Sequence, residues 1–295
     1  MNSIRERYTH LLKRMMSGAR EQKPLSDMDV FQQGESELLP FVDQIVKDHL
    51  LPGSSILGME NLSLLLEKAQ KGEACLLLLE HYSNFDLPAF HYLLRQNGEA
   101  GAKLADLLVS IAGIKLSESN PLVNAFAQAY TRIVIYPSRS LEIIKQNYKD
   151  PNKLYHEVMR SMTINRAAMK ALGAVKSSGR IILVFPAGTR YRPGDPATKR
   201  GVREIASYIK SFDNFCLVSI NGNILRINPT GEMEEDILHA DKVVFRVGEV
   251  NRCDELLHHI KEEHHFRDDK KQELVDHIME GLELMHDEVE ADRLS

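Results

Sequence analysis

Cys75-Leu76-Leu77-Leu78-Leu79-Glu80-His81 is the stretch from which the fold can be read. Five apolar residues stand in a row and polarity returns at once. A run this short, apolar on both parities, predicts a strand buried on both faces, as in a parallel sheet. Outward from it the pattern recurs. Arg132-Ile133-Val134-Ile135-Tyr136 is stopped by Pro137, and Ile181-Ile182-Leu183-Val184-Phe185 by Pro186. Cys216 to Ile220 and Val243 to Val247 are further runs, with a weaker one at Leu107 to Ile111. Helical stretches are expected between them, at Phe90 to Arg95, Leu122 to Tyr130, Tyr155 to Ser177 and Gly201 to Ile209. Strands alternating with helices predict an α/β fold with a mixed, mostly parallel sheet flanked by helices.

The first 65 residues read differently. They look like helices joined by polar turns, with a turn at Lys23-Pro24-Leu25-Ser26-Asp27, a breaker at Leu51-Pro52-Gly53-Ser54-Ser55 and a helix from Asn61 to Lys71. The expected organisation is a small helical N-terminal domain over 1–65 and an α/β domain over 66–295. The C-terminal stretch from Asp254 to Glu290 reads as a long acidic helical segment with a solvated face.

At 295 residues the chain can bury a large core. Its formal net charge of -5 argues against a nucleic-acid binder, which is usually basic. The three cysteines, Cys75, Cys216 and Cys253, form no CxxC pair and read as buried thiols of a reducing, cytoplasmic compartment. No apolar run approaches the roughly 18 residues a membrane span needs, and no signal-peptide core is legible. Residues 1–23 are basic and amphipathic, which suits either a packed surface helix or peripheral contact with anionic lipid. His258, His259, His264 and His265 cluster with Glu262 and Glu263, but without a recognised ligand spacing, so no metal site is expected.

In sheets of this kind chemistry collects beyond the carboxyl ends of strands. Three loops follow such ends. The first, Glu80-His81-Tyr82-Ser83-Asn84-Phe85-Asp86, sets a histidine five residues before an aspartate. One turn between them would let Asp86 fix the imidazole tautomer and leave the other ring nitrogen to act as a base. A structural pairing explains the same spacing. The loop Phe185-Pro186-Ala187-Gly188-Thr189-Arg190-Tyr191-Arg192-Pro193 offers two guanidinium forks, which suit phosphate oxygens, and a glycine that permits close approach. Solvated surface arginines are the alternative. Tyr136-Pro137-Ser138-Arg139-Ser140 brings a third arginine to a strand end.

The ordered pair of blocks, His81-x4-Asp86 and then Phe185-Pro186-Ala187-Gly188-Thr189-Arg190, resembles the glycerolipid acyltransferase superfamily. Thr198-Lys199-Arg200-Gly201 is similar to the basic step that follows in that superfamily. Within it, the chain looks most like the soluble, chloroplast-type glycerol-3-phosphate acyltransferases. Pro186-x-Gly188-x-Arg190-x-Arg192-Pro193 carries that likeness, as do Ile111-Ala112-Gly113, Asn120-Pro121-Leu122 and Ile133-Val134-Ile135 in the middle segment. The likeness spans about Leu76 to Gly248. The chain departs from it at Ala187 in place of the superfamily's usual Glu, at Ser140 where a second basic residue is common, and at Val218-Ser219 in place of Val-Pro.

The resemblance implies an acyl-thioester-dependent O-acyltransferase of phospholipid biosynthesis. It makes glycerol 3-phosphate the acceptor and an acyl-carrier-protein or coenzyme A thioester the donor, with no cofactor or metal. It casts His81 as base and Asp86 as its orienting partner. Arg139, Arg190 and Arg192 would bind the phosphate, with Gly188 giving it room. Lys199 and Arg200 would form a basic rim toward the donor, although an ordinary solvated helix start fits them equally. Three other readings stay open: a lysophosphatidate acceptor, a non-catalytic acyl-chain-binding module, and a thioester hydrolase.

Overall fold

The computed structural model describes residues 3–118, 120–147, 150–228, 235–263 and 269–293. Its helices are α1 (Ile4–Arg7), α2 (Thr9–Gly18), α3 (Leu39–His49), α4 (Met59–Gln70), α5 (Asp86–Gln96), α6 (Gly98–Leu107), α7 (Lys115–Glu118), α8 (Pro121–Gln128), α9 (Ser138–Asn147), α10 (Pro151–Val175), α11 (Ile205–Ile209), α12 (Cys253–Glu263) and α13 (Lys270–Arg293). Its strands are β1 (Phe31–Gln32), β2 (Ser55–Leu57), β3 (Cys75–Leu79), β4 (Leu108–Gly113), β5 (Arg132–Ile135), β6 (Ile181–Val184), β7 (Asn214–Asn221), β8 (Leu225–Arg226), β9 (Ile237–Leu238), β10 (Val244–Val247) and β11 (Asn251–Arg252). The result is an α/β fold in which parallel pairings predominate.

Two compact units divide the chain. One gathers residues 1–9, 42–108 and 176–295, and the other residues 10–41 and 109–175. This differs from the expected boundary at residue 65. The first 65 residues are shared between the units, the division falls inside α3, and this region supplies two short strands, β1 and β2, besides its helices.

In the first unit the strand order is β6-β3-β7-β10-β2, with β11 added to β7. Strand β3 is parallel to both β6 and β7, with Leu77 opposite Leu183 on one side and Cys216 on the other. Buried among neighbours on both edges and both faces, all five of its residues are fully shielded. That is why the run carries no polar residue. Each buried leucine contributes on the order of 2 kcal/mol of apolar transfer. Beyond β7 the sheet turns antiparallel at β10, and the Phe245 ring meets Phe90 of α5 at 5.1 Å. Helix α13 lies against β7 and β10.

In the second unit β4 and β5 are parallel, and β1 runs antiparallel to β5. Helix α8 starts on a capped turn, where Asn120 accepts from Leu122 N–H at 2.8 Å and Pro121 takes the first helical position. Arg132, although it opens a strand, is buried. Its guanidinium donates to the carbonyls of Ala127 and Tyr130 at the end of α8. Helix α10 packs on β5.

Parallel strands β3, β6 and β7 all point the same way. Their carboxyl ends therefore deliver residues 80–86, 185–200 and 219–221 to one edge of the first unit. Among the described residues no helix is long and apolar enough to cross a membrane.

Candidate active site

The chain leaves β3 at Glu80 and re-enters a helix at Asp86, so the intervening residues form a tight turn. The Asp86 carboxylate holds that turn together. Its Oδ2 accepts from Tyr82 N–H at 2.6 Å and Ser83 N–H at 2.8 Å, and its Oδ1 from the Ser83 hydroxyl at 2.8 Å. The Phe85 amide donates to Ser83 Oγ at 3.1 Å and closes the turn. The same Oδ2 lies 2.9 Å from His81 Nδ1. Asp86 is 4% exposed as a side chain and His81 17%, so the pair sits at a lip with the carboxylate inside and the imidazole reaching out.

Two contacts fix the imidazole plane. His81 stacks on Phe185, with ring centroids 4.0 Å apart and planes 22° from parallel. Its backbone carbonyl accepts from Tyr191 N–H at 2.8 Å, which ties the arginine loop directly to the histidine. With Nδ1 facing an acceptor, Nε2 is the nitrogen left to receive a proton. Among the described residues Nε2 has no hydrogen-bond partner.

In front of His81 lies a shallow cleft of about 20 Å³, room for little more than a water molecule, lined by Glu80, Tyr82, Pro186, Ala187, Tyr191, Thr198, Lys199 and Met279.

The arginine loop is built by Gly188 and Thr198. Gly188 takes φ +62°, a left-handed conformation that side chains disfavour, and its N–H donates to Phe185 O at 2.9 Å. Buried Thr198 accepts from Arg192 N–H at 2.9 Å and donates to Asp195 O at 2.6 Å, pinning the far side of the loop. The Arg192 side chain is exposed. Arg190 is committed: its guanidinium pairs with the buried carboxylate of Asp236, which also accepts from Asn228 N–H at 3.0 Å. Lys199 pairs with Glu283 at 2.8 Å and stands 5.9 Å over the Tyr191 ring, while Arg200 is exposed. Arg139 is exposed in the first turn of α9 and belongs to the second unit. Thus His81, Asp86 and the 185–200 loop meet in one unit, Arg190 is already paired rather than open, and Arg139 lies in the other unit.

The sequence reading missed a buried polar network behind the dyad. Glu80, 5% exposed, accepts from Ile220 N–H at 2.8 Å and from the Tyr82 hydroxyl at 3.0 Å, and its Oε2 lies 3.0 Å from His286 Nδ1. Burial and the neighbouring Glu80 push the Tyr82 hydroxyl pKa far up, so it stays a donor. Burial opposes a charge on His286, but Glu80 and Glu290 outweigh it and raise its pKa. The one sequence signal was Glu80 itself, a carboxylate sitting directly on the end of a fully buried strand.

The other expectations fall as follows. Cys75, Cys216 and Cys253 are free and buried, and burial raises each thiol to about 12. His258 and Glu262 are exposed and 3.6 Å apart, and His264 and His265 lie outside the described residues. Among the described residues no group of three or more His, Cys, Asp or Glu is placed to hold a metal. A comparison with known protein families finds no matching model, and a comparison with curated proteins finds no match.

Proposed function

We propose that the protein is an acyltransferase that moves a fatty acyl group from a thioester to the 1-hydroxyl of glycerol 3-phosphate. The observation that carries this reading is the 2.9 Å contact between His81 Nδ1 and Asp86, with Nε2 left at the lip of a small cleft. A hydroxyl is a weak nucleophile near neutral pH, and a base held in one tautomer is what activates it.

His81 Nε2 takes the hydroxyl proton as the oxygen attacks the thioester carbonyl. The tetrahedral intermediate collapses, the C–S bond breaks, and the imidazolium returns its proton to the departing thiolate. Asp86 stabilises the imidazolium between these two transfers. Arg192 binds the acceptor's phosphate. Arg190 assists while keeping Asp236, since a guanidinium has five N–H donors and one carboxylate does not exhaust them. Lys199 and Arg200 face an acyl-carrier-protein or coenzyme A donor.

The test is thiol release from both donors with each acceptor. The proposal expects thiol only when glycerol 3-phosphate is added. Release with lysophosphatidate alone would make that lipid the acceptor. Release without an acceptor would indicate a hydrolase, and donor binding without any release a non-catalytic acyl-binding module.

A further inference from the structure

Helix α10 runs for 25 residues, about 37 Å at 1.5 Å per residue. Its inner face is fully engaged. Ser161, Ile164, Ala168 and Leu172 are buried. Asn165 clasps the Tyr136 backbone in both directions, accepting from its N–H at 2.8 Å and donating to its carbonyl at 2.9 Å. Glu157 accepts from the Tyr136 hydroxyl at 2.7 Å, and Arg160 pairs with Glu118 and Glu157. The helix is thus fixed in place without using its outer face.

That outer face is apolar where water should meet polar groups. Tyr155, Met159, Met162 and Met169 follow helical spacing along one side and are 62%, 43%, 54% and 57% exposed. Scattered single apolar residues on a surface are ordinary, but four on one helix face, broken only by Arg166 between Met162 and Met169, mark a contact. Beyond Asp150 at its N-terminal cap, the exposed charges of the helix are positive. Lys153, Arg166 and Lys170 are exposed, and among the described residues none has an ion-pair partner. The helix's one acidic residue, Glu157, is turned inward.

The whole second unit shares this character. Residues 10–41 and 109–175 carry 13 Lys and Arg against 9 Asp and Glu, a net of +4 in a chain whose total is -5. This unit holds about a third of the chain. Even so, among the described residues it holds seven of the eleven exposed large apolar side chains, including Met16 and Met28.

We infer that the outer face of α10 docks the protein on an anionic lipid bilayer. Long, flexible methionines and an amphipathic tyrosine enter the boundary between headgroups and acyl chains, while Arg166 and Lys170 on the same face reach the lipid phosphates. Each such cation adds about 1 kcal/mol near an anionic surface, and the attraction is screened by salt. A second copy of this chain is a poorer fit, because it would bring the same uncompensated positive charge to the contact. The inference is independent of the proposed chemistry.

Co-sedimentation of the full chain with phosphatidylcholine vesicles, with and without phosphatidylglycerol, tests it. The wild type should pellet with the anionic vesicles, stay in solution with the neutral ones, and be released by high salt. Two variants on the exposed face, Arg166→Glu/Lys170→Glu and Met159→Ser/Met162→Ser/Met169→Ser, should each lower the partition by about tenfold or more. Leu284→Ser, at an exposed leucine of α13, should leave it unchanged. Circular dichroism checks that each variant is folded. Equal binding to both vesicles, no binding to either, or folded variants that partition like the wild type would overturn the inference. So would self-association in sedimentation equilibrium that the methionine variant abolishes.

Discussion

His286 Nδ1 lies 3.0 Å from Glu80 Oε2, joining residues 206 positions apart. Glu80 directly precedes His81, so α13 holds the first residue of the candidate catalytic turn from behind. Asn221 strengthens the same junction, donating to His286 O at 2.9 Å and to Glu290 at 3.0 Å.

This contact makes stability depend on pH. The His286 pKa is raised in the folded protein, against burial, by Glu80 and Glu290. Its contribution is therefore fully present below the unfolded value of about 6.5 and fades as pH rises through the folded value. The melting temperature of the wild type should exceed that of His286→Gln most at mildly acidic pH, and the gap should narrow in alkaline buffer. A gap that widens with rising pH would contradict the assignment.

Gly201 tests how closely α13 approaches the arginine loop. A Cβ there would stand 2.4 Å from Val275 Cγ1 and 2.9 Å from Met279 Cγ. Gly201→Ala should cost about 1–3 kcal/mol in urea unfolding, the usual scale of overpacking. Met279 lines the cleft, so the acceptor KM should rise as well.

Asp236 supports Arg190. Its side chain is 2% exposed, and its other oxygen accepts from Asn228 N–H. Asp236→Ala leaves a largely buried guanidinium without its carboxylate, which typically costs about 3–5 kcal/mol. Denaturant titration should show that loss. Asp236→Ala/Arg190→Met should recover part of the stability but not glycerol 3-phosphate affinity.

The strongly buried strands were legible in the sequence because burial on both faces forces apolar residues at every position. Cys75 to Leu79 and Ile181 to Val184 are the clearest cases. Strands β1 and β2 have two and three residues and leave no periodic trace. Ser138 to Ser140, expected as part of a strand-exit loop, instead open helix α9, because Pro137 ends the strand and its carbonyl accepts from Ser140 and Leu141 N–H in the first helical turn. The 2.9 Å dyad could be anticipated because its members are five residues apart. Glu80–His286 and Arg190–Asp236 join residues 206 and 46 apart, and local pattern carries nothing about such pairs. The two-unit division was equally hidden, because each unit is assembled from segments distant in sequence.

Asp86→Asn separates charge from architecture. An asparagine can keep its carbonyl toward the Tyr82 and Ser83 amides and turn its amide toward Ser83 Oγ, which then accepts. The turn should survive while the carboxylate's support of a charged imidazole is lost. The expected result is a fall in kcat of about a hundredfold, with the KM for glycerol 3-phosphate little changed. A matched rise in KM at constant kcat would point instead to a binding role.

The most direct measurement is the rate of acceptor-dependent thiol release by His81→Ala, alongside its melting curve. A folded variant slowed by about a hundredfold or more is the predicted outcome. A folded variant that still acylates glycerol 3-phosphate at close to the wild-type rate would contradict the account.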